Sequence, residues 1–222
     1  WLQMLNLGYR VPGIVNTDAH YNFHGSGWLR NYIKCSTDDP ARIKTMDIVH
    51  AAERGNFIMT NGPYLEVELS AGGKTVTAGD DLRVANGKAV LHVRVQCPNW
   101  FGVDRVQVFM SGRPKEELNF RRRESPGNFS PKTVCFDQNI PIHFEHDEHV
   151  IVVAVGEESQ LGLVMGPDHE KDRPVAVSNP IYVDVDGNGF VPNKDLLDLD
   201  IPLLPAISGT DASQGSRDIP SP

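Results

Sequence analysis

Regular alternation of apolar and polar side chains after Tyr64 is the sequence feature that most constrains how this chain folds. In the segment 89–97, every second residue from Leu91 is apolar, whereas His92 and Arg94 between them are polar. Because residues i and i+2 of a strand share one face, this pattern predicts strands with one buried and one solvent-exposed side. Strands of this kind are typical of antiparallel sheets.

Further segments predict the other strands of the same domain. Val106 to Met110 and Thr133 to Phe136 repeat the alternation, and Val150 to Val155 is apolar throughout, which is typical of a central strand. Turns such as Asn86-Gly87 separate these segments. Roughly six to eight strands in about 120 residues predict a mainly β fold, an immunoglobulin-like antiparallel β-sandwich over residues 64–183.

The order helix, strand, loop, helix, strand is predicted for residues 1–63. The second of these helices is predicted to start at Asp38 or Asp39, with Pro40 in its first turn, and to end at Gly55. These residues therefore differ in class from the β-rich part that follows.

A short apolar run from Gly13 ends in Asp18 and His20, two positions apart. At the carboxyl end of a strand their carboxylate and imidazole would converge on one side, an arrangement that suits a metal ion. Active sites of α/β barrels lie at that end of the strands. The alternative is an aspartate that caps a turn beside an ordinary loop histidine, and the pair alone favours this alternative.

The surroundings of this pair are more specific than the pair itself. The segments 5–12 (LNLGYRVP), 16–20 (NTDAH) and 55–63 (GNFIMTNGP), in this order, resemble metallohydrolases of the PHP superfamily. The resemblance is closest to the carbaryl-hydrolase-like, CehA/McbA-type branch, and it covers about the first third of the chain.

This resemblance carries several expectations. It implies that residues 1–63 are the last α/β elements of a distorted (β/α) barrel, with a β-sandwich after them. It implies that Asp18 and His20 are ligands of zinc, iron or manganese, in a protein that hydrolyses an ester, amide, carbamate or phosphate bond of a small-molecule substrate. The family's earlier ligands, beginning with H-x-H, do not precede these residues here. We therefore expect a missing amino-terminal barrel portion as partner and little or no hydrolase activity from this chain alone.

Two further residues near the pair are candidates for catalysis. His24 follows His20 by four positions in a glycine-containing loop, where it is able to touch metal or substrate. Arg30 follows the same loop and suits an anionic substrate group, with a surface salt bridge as the alternative.

A second metal signal lies in the segment 184–195, which fits the twelve-residue calcium loop of EF-hand type. The alternative is an Asp/Asn/Gly-rich turn that binds no ion. Pro192 at the ninth position offers no side-chain oxygen, and the closing acid is Asp where Glu is usual. The expected calcium ligands are Asp184, Asp186, Asn188, Phe190 through its carbonyl group, and Asp195. We treat residues 184–204 as this loop and its continuation, and residues 205–222 as a polar tail.

Composition excludes some classes of protein. The formal net charge is −8, which argues against nucleic-acid binding because such proteins present basic surfaces. The sequence contains no apolar run near the ~18 residues that a membrane span needs. The acidic surface and the calcium loop give a slight preference for an extracytoplasmic (periplasmic or secreted) location.

Three cysteines leave two alternatives open. Cys97 and Cys135 both fall in predicted strands, so a disulfide across the sandwich and two buried thiols are equally compatible with the sequence. Cys35 has no Cys or His neighbour at metal-site spacing.

A binding module is the alternative to an enzyme. In this interpretation, a calcium-stabilised β-sandwich holds a carbohydrate or a protein partner, and exposed aromatic residues such as Trp100, Phe101 and Phe129 stack on sugars. The three histidines His143, His146 and His149 suggest a zinc site. On a strand, however, side chains three positions apart point to opposite faces. A polar loop is therefore the expected role of that triplet.

Overall fold

The computed structural model describes residues 1–20 and 27–199. Within these ranges the chain forms two α-helices, α1 (Leu2–Asn6) and α2 (Thr45–Arg54), and twelve β-strands. The strands are β1 (Arg30–Ile33), β2 (Phe57–Thr60), β3 (Tyr64–Ala71), β4 (Lys74–Thr77), β5 (Asp81–Arg83), β6 (Lys88–Gln96), β7 (Arg105–Met110), β8 (Arg113–Arg121), β9 (Val134–His143), β10 (Glu148–Val155), β11 (Val175–Ser178) and β12 (Ile181–Asp184).

The strands form two sheets, and the fold is mainly β. The larger, eight-stranded sheet has the order β1-β2-β11-β10-β12-β5, with β7 paired to β10 and β8 paired to β7. The smaller sheet has the order β4-β3-β6-β9. Neighbouring strands are antiparallel except β12 and β5, which are parallel. The prediction of an antiparallel, mainly β fold is confirmed at this level.

The core lies between the two sheets. From the smaller sheet, Leu91 and Val93 of β6 point into it with none of their surface exposed. From the larger sheet, Val108 of β7 and Val150 of β10 meet them in the same cluster. Strand β6 therefore has one buried face and one more solvent-exposed face, as its alternation predicted.

Strand β10 is buried on both sides of its sheet. Val150 and Val152 lie in the core between the sheets, while Ile151, only 2% exposed, points to the opposite face. Strands β11 and β12 pair with one edge of β10, and β7 pairs with the other. The prediction of a central strand over 150–155 is thus confirmed.

The amino-terminal residues are tied to the segment after β12. Asn6, 1% exposed, donates from Nδ2 to the carbonyl oxygens of Ser111 and Asp195, each at 3.0 Å. The backbone N–H of Lys194 donates to the carbonyl of Asn6. Asn179, fully buried, accepts a hydrogen bond from the Gly13 N–H at 2.8 Å. Residues 1–13 are therefore anchored to the larger sheet and its neighbouring loops.

The expected boundary between residues 63 and 64 falls between the two sheets of the sandwich, because β2 belongs to the larger sheet and β3 to the smaller one. β2 pairs antiparallel with β11, so that Thr60 lies opposite Ala176, and β1 pairs antiparallel with β2. In a (β/α) barrel successive strands are parallel. Residues 30–60 thus complete the larger sheet of the sandwich, and the described residues do not form a separate barrel unit there.

Helix α2 is shorter than predicted. It begins at Thr45, after Lys44 in extended conformation, whereas a start at Asp38 or Asp39 was expected. The Asp39 carboxylate instead accepts the N–H of Ala41 at 3.1 Å. This is the bond that an N-cap residue makes, and the Asp39 carbonyl also accepts the N–H of Arg42, so Asp39 caps a single turn that does not continue into the helix. The predicted end is confirmed, because Gly55 adopts a left-handed φ of 80° there.

None of the described helices is both long and apolar enough to cross a bilayer.

Candidate metal sites

Asp18 and His20 lie in irregular chain, where a strand was expected. The Asn16 side-chain oxygen accepts the N–H of Asp18 at 3.0 Å, and Asp18 has a left-handed φ of 48°. Asn and Asp favour turns of this type because their side chains bond nearby backbone. The strand geometry assumed for the pair is therefore wrong.

The turn nevertheless brings the two side chains together. Oδ1 of Asp18 lies 3.3 Å from Nε2 of His20, and the side chains are 86% and 66% exposed. One carboxylate and one imidazole are suitable ligands for zinc, iron or manganese. A catalytic zinc typically has three protein ligands. The described residues bring no third acidic, histidine or cysteine ligand to this pair. His24 lies outside the described residues.

Arg30, the other catalytic candidate, holds backbone in place. Its guanidinium donates to four carbonyl groups, and its Nε donates to the Tyr32 hydroxyl at 3.1 Å. These contacts join the segment before β1 to the turn after β2, and they account for Arg30 without a substrate. The four acceptors, at 3.1 to 3.5 Å, are the carbonyl oxygens of Gly27, Trp28, Asn61 and Gly62.

The last four residues of the segment 55–63, Thr60 to Pro63, have a structural role of their own. The Thr60 hydroxyl lies 2.7 Å from the Pro63 carbonyl oxygen and 2.9 Å from that of Val175, and it accepts the N–H of Gly62. The Asn61 side-chain oxygen accepts the Val175 N–H at 2.7 Å. This turn therefore fastens β2 to the start of β11.

The calcium loop contributes two carboxylates to a cluster of three. Asp184 and Asp186 lie with Asp147 so that one oxygen atom of each is within 4.8 Å of the others. Among the described residues this is the one group of three potential metal ligands at that spacing. Carboxylate oxygens are hard ligands that suit calcium.

Asp147 was missed because it comes from a different part of the sequence. It precedes β10, whose first residue, Glu148, pairs with Val183 of β12. The next pair in this register would be Asp147 and Asp184. The pairing of β10 with β12 brings this third carboxylate to the loop. The sequence pattern of the loop alone carries no information about that pairing.

Backbone N–H groups fix the three carboxylates. Asp147 accepts the N–H groups of Val185 and Val191, each at 2.8 Å. Asp184 accepts those of Gly187 and Gly189, at 2.6 and 3.1 Å. These bonds hold the two carboxylates in fixed positions beside each other.

Asp186 and Asn188 bond to each other. The Asn188 Nδ2 donates to Oδ2 of Asp186 at 2.8 Å, and the Asn188 N–H donates to Oδ1. Phe190 packs its ring on Tyr182 with a centroid distance of 5.0 Å. Asn188 thus contacts one member of the cluster, and neither Asn188 nor Phe190 adds a carboxylate to it.

Asp195 does not join the other carboxylates. Its oxygens accept from Nε and Nη2 of Arg113 at 2.5 and 2.9 Å. This bidentate hydrogen bond to Arg113 holds the pKa of Asp195 below its usual value. The loop therefore lacks the closing acid of the EF-hand pattern, and Asp147 supplies the third carboxylate in its place.

The three histidines 143, 146 and 149 do not gather into a metal group in the described chain. His143 and His146 are exposed, whereas His149 is 1% exposed. Of the three aromatic residues considered for sugar binding, Trp100 is 56% exposed and Phe129 is only 8% exposed. Phe101 packs against the core.

Comparisons of the chain with protein-family models, with curated proteins and with solved structures found no match.

Proposed function

We propose that this chain is part of a metal-dependent hydrolase of the PHP superfamily, of the carbaryl-hydrolase-like (CehA/McbA-type) branch. The observation that carries the proposal is the 3.3 Å approach of Asp18 Oδ1 to His20 Nε2, with both side chains open to solvent. These two atoms serve as two ligands of a zinc, iron or manganese centre, whose remaining ligands lie outside the described residues. Such a metal supplies a water of lowered pKa for hydrolysis.

Exposed apolar side chains in the first 49 residues of the chain support a neighbouring protein surface. Residues 1–49 contain nine of the seventeen large apolar side chains that are exposed in the described chain. Large exposed apolar patches mark places where further protein packs. We infer that further elements of the proposed barrel cover it. The nine are Trp1, Met4, Tyr9, Val11, Ile14, Tyr32, Met46, Ile48 and Val49.

Metal titration tests the ligand assignment. We expect the full chain to bind Zn²⁺ or Mn²⁺ weakly, and Asp18→Ala and His20→Ala each to weaken binding by at least about tenfold, since even second-shell changes cost that much. His24→Ala tests the third ligand. His50→Ala is the matched control, because His50 is exposed on α2. Equal affinities in the wild type, Asp18→Ala and His20→Ala would overturn the assignment.

A second proposal concerns the sandwich itself. We infer that calcium binds at Asp147, Asp184 and Asp186 and stabilises an immunoglobulin-like module. The carboxylate cluster supports this role, because it links the loop after β12 to the turn before β10. The role is structural and is compatible with the hydrolase.

This module is a candidate for binding carbohydrate. Trp100 lines a cleft of about 410 Å³ together with polar residues that include Glu158, Lys171 and Arg173. An aromatic face beside charged groups suits a sugar ring. Loss of binding to a glycan panel in Trp100→Ala, with Trp28→Ala as control, would favour this module. No binding by the wild type would contradict it.

A further inference from the structure

Cys97 and Cys135 lie side by side in the core. Their Sγ atoms are 3.5 Å apart, and the residues are 5% and 3% exposed. Cys97 directly follows β6, and its N–H donates to the carbonyl oxygen of Thr133 at 2.8 Å. The two cysteines therefore lie on adjacent, hydrogen-bonded segments of the smaller sheet.

A register shift explains why the two side chains meet. Val95 of β6 pairs with Phe136 of β9, whereas the next residue, Gln96, pairs with Val134. Cys135 lies between these two positions and is the extra residue of a β-bulge. A bulge re-aims the side chain at that point, and here the Cys135 side chain points into the core beside Cys97.

We propose that Cys97 and Cys135 are a disulfide-forming pair that a small disulfide, such as oxidised glutathione, or a thiol oxidoreductase oxidises. A disulfide needs an S–S distance of about 2.05 Å, which the pair reaches by a small movement of sulfur atoms already in contact. The buried position means that exchange takes place while this end of the sheet is open, during folding or local unfolding.

The thiol–disulfide exchange that forms the bond has two steps. The Cys135 thiolate attacks one sulfur of the reagent, forms a mixed disulfide and releases one thiolate of the reagent. Cys97 then loses its proton and attacks the Cys135 sulfur, which releases the second thiolate. Two protein thiols are oxidised, and one reagent disulfide is reduced to two thiols.

In the folded chain, a positive charge lies near Cys135. The pKa of Cys135 is lowered, first by its hydrogen bond with Cys97 and also by the charge of Arg122. Arg122 is held close by, because its Nη2 donates to the Val103 carbonyl oxygen at 3.0 Å and its guanidinium lies 5.0 Å from the Phe129 ring. The pKa of Cys97 is raised by the same hydrogen bond and by burial. A cationic surrounding is typical of reactive cysteines.

The bond would join two parts of the sandwich. It would connect β6 to β9, which is the edge strand of the smaller sheet, and enclose the β7–β8 hairpin of the larger sheet. The two cysteines are 38 positions apart. A loop of this length predicts a rise in melting temperature of about 10 °C on oxidation.

Thiol counting tests the proposal on the full chain. The protein is refolded with oxidised or with reduced glutathione, denatured, alkylated with N-ethylmaleimide and weighed by mass spectrometry. We expect three alkylated thiols after reduction and one, at Cys35, after oxidation. Peptide mapping is expected to recover a cross-link between Cys97 and Cys135, together with the higher melting temperature.

Two variants keep the result interpretable. Cys35→Ala changes a half-buried residue outside the pair and is expected to show two alkylated thiols when reduced and none when oxidised. Cys97→Ser is expected to keep two alkylated thiols under both conditions. Three alkylated thiols in the oxidised wild type, or a cross-link that includes Cys35, would overturn the proposal even if Cys97→Ser fails to fold.

Discussion

Arg10 forms a two-point ion pair with Asp81, in which Nη1 and Nη2 lie 2.8 and 2.6 Å from the two carboxylate oxygens. The same guanidinium lies 4.2 Å from the centre of the Tyr182 ring. Arg10 thus connects the segment before β1 to strands β5 and β12. The pair is half-exposed, so solvent weakens it.

A double-mutant cycle of Arg10→Gln and Asp81→Asn measures this connection. We expect a coupling energy of about 0.5 to 1 kcal/mol at low salt, because the geometry is bidentate but the side chains are exposed. High salt is expected to reduce the coupling. Arg10→Lys, which keeps the charge and loses the second hydrogen bond, is expected to lie between wild type and Arg10→Gln. Zero coupling at low salt would contradict this prediction.

Thr60→Val tests the turn that joins β2 to β11. Valine has a similar shape but leaves the N–H of Gly62 and the carbonyls of Pro63 and Val175 without the hydroxyl. Since Thr60 is 3% exposed, we expect a loss of about 2 kcal/mol in the free energy of unfolding, measured with urea. Thr75→Val, on the exposed part of β4, is the control and is expected to cost less than about 0.5 kcal/mol. Equal losses in the two variants would contradict this assignment.

Calcium is expected to raise the melting temperature relative to a chelator. At a concentration of about one hundred times Kd, binding adds about 2.7 kcal/mol to stability. Asp147→Asn and Asp184→Asn are expected to abolish the difference. Asp195→Asn is expected to retain it, although the variant loses its pair with Arg113 and starts from lower stability.

This comparison separates two ligand sets. If Asp195→Asn abolishes the calcium response and Asp147→Asn does not, the loop binds in the EF-hand manner and the three-carboxylate cluster is not the site. An unchanged melting temperature of the wild type at millimolar calcium would exclude binding linked to folding.

His149 makes stability depend on pH. Burial lowers its pKa from 6.5 to about 4, and neither ring nitrogen has a hydrogen-bond partner among the described residues. Because the unfolded chain binds a proton more readily than the folded chain, stability is full above pH 6.5 and is lost as the pH falls toward 4. The expected loss over this interval is about 3 kcal/mol.

The pH dependence is measured by urea unfolding in the presence of a chelator, so that calcium does not contribute. His149→Phe removes the titrating group and is expected to flatten the curve between these pH values. His146→Ala, an exposed neighbour, is expected to leave it unchanged. A wild-type stability that does not fall between pH 6.5 and pH 4 would contradict the prediction.

Strands with one buried face were predictable because their signal is local. The alternation in β6 and the apolar run of β10 are visible within ten residues, and both strands form where they were expected. The membership of β1 and β2 in the same sheet was not predictable in this way. It depends on β11, more than one hundred residues later, and on the side chains of Thr60 and Asn61.

The candidate metal residues also differ in whether their positions depend on local sequence or on distant contacts. Asp184 and Asp186 of the predicted loop lie close together, since both are in one short turn. The loop pattern assigned Asp195 to this group because the pattern records only spacing, whereas Arg113 from β8 competes for that carboxylate. Asp147 enters through strand pairing, and the Asp18 turn is formed by the side chain of Asn16.

The pairing of β2 with β11 has a consequence for the newly made chain. Thr60 contacts Val175, which is 115 positions later, so a ribosome must add all of that length before β2 acquires its inner neighbour. Long-range pairing of this kind is slow and leaves strand edges unprotected meanwhile. We therefore expect the larger sheet to close only late in synthesis, with β1 and β2 as the segments that a chaperone shields until then.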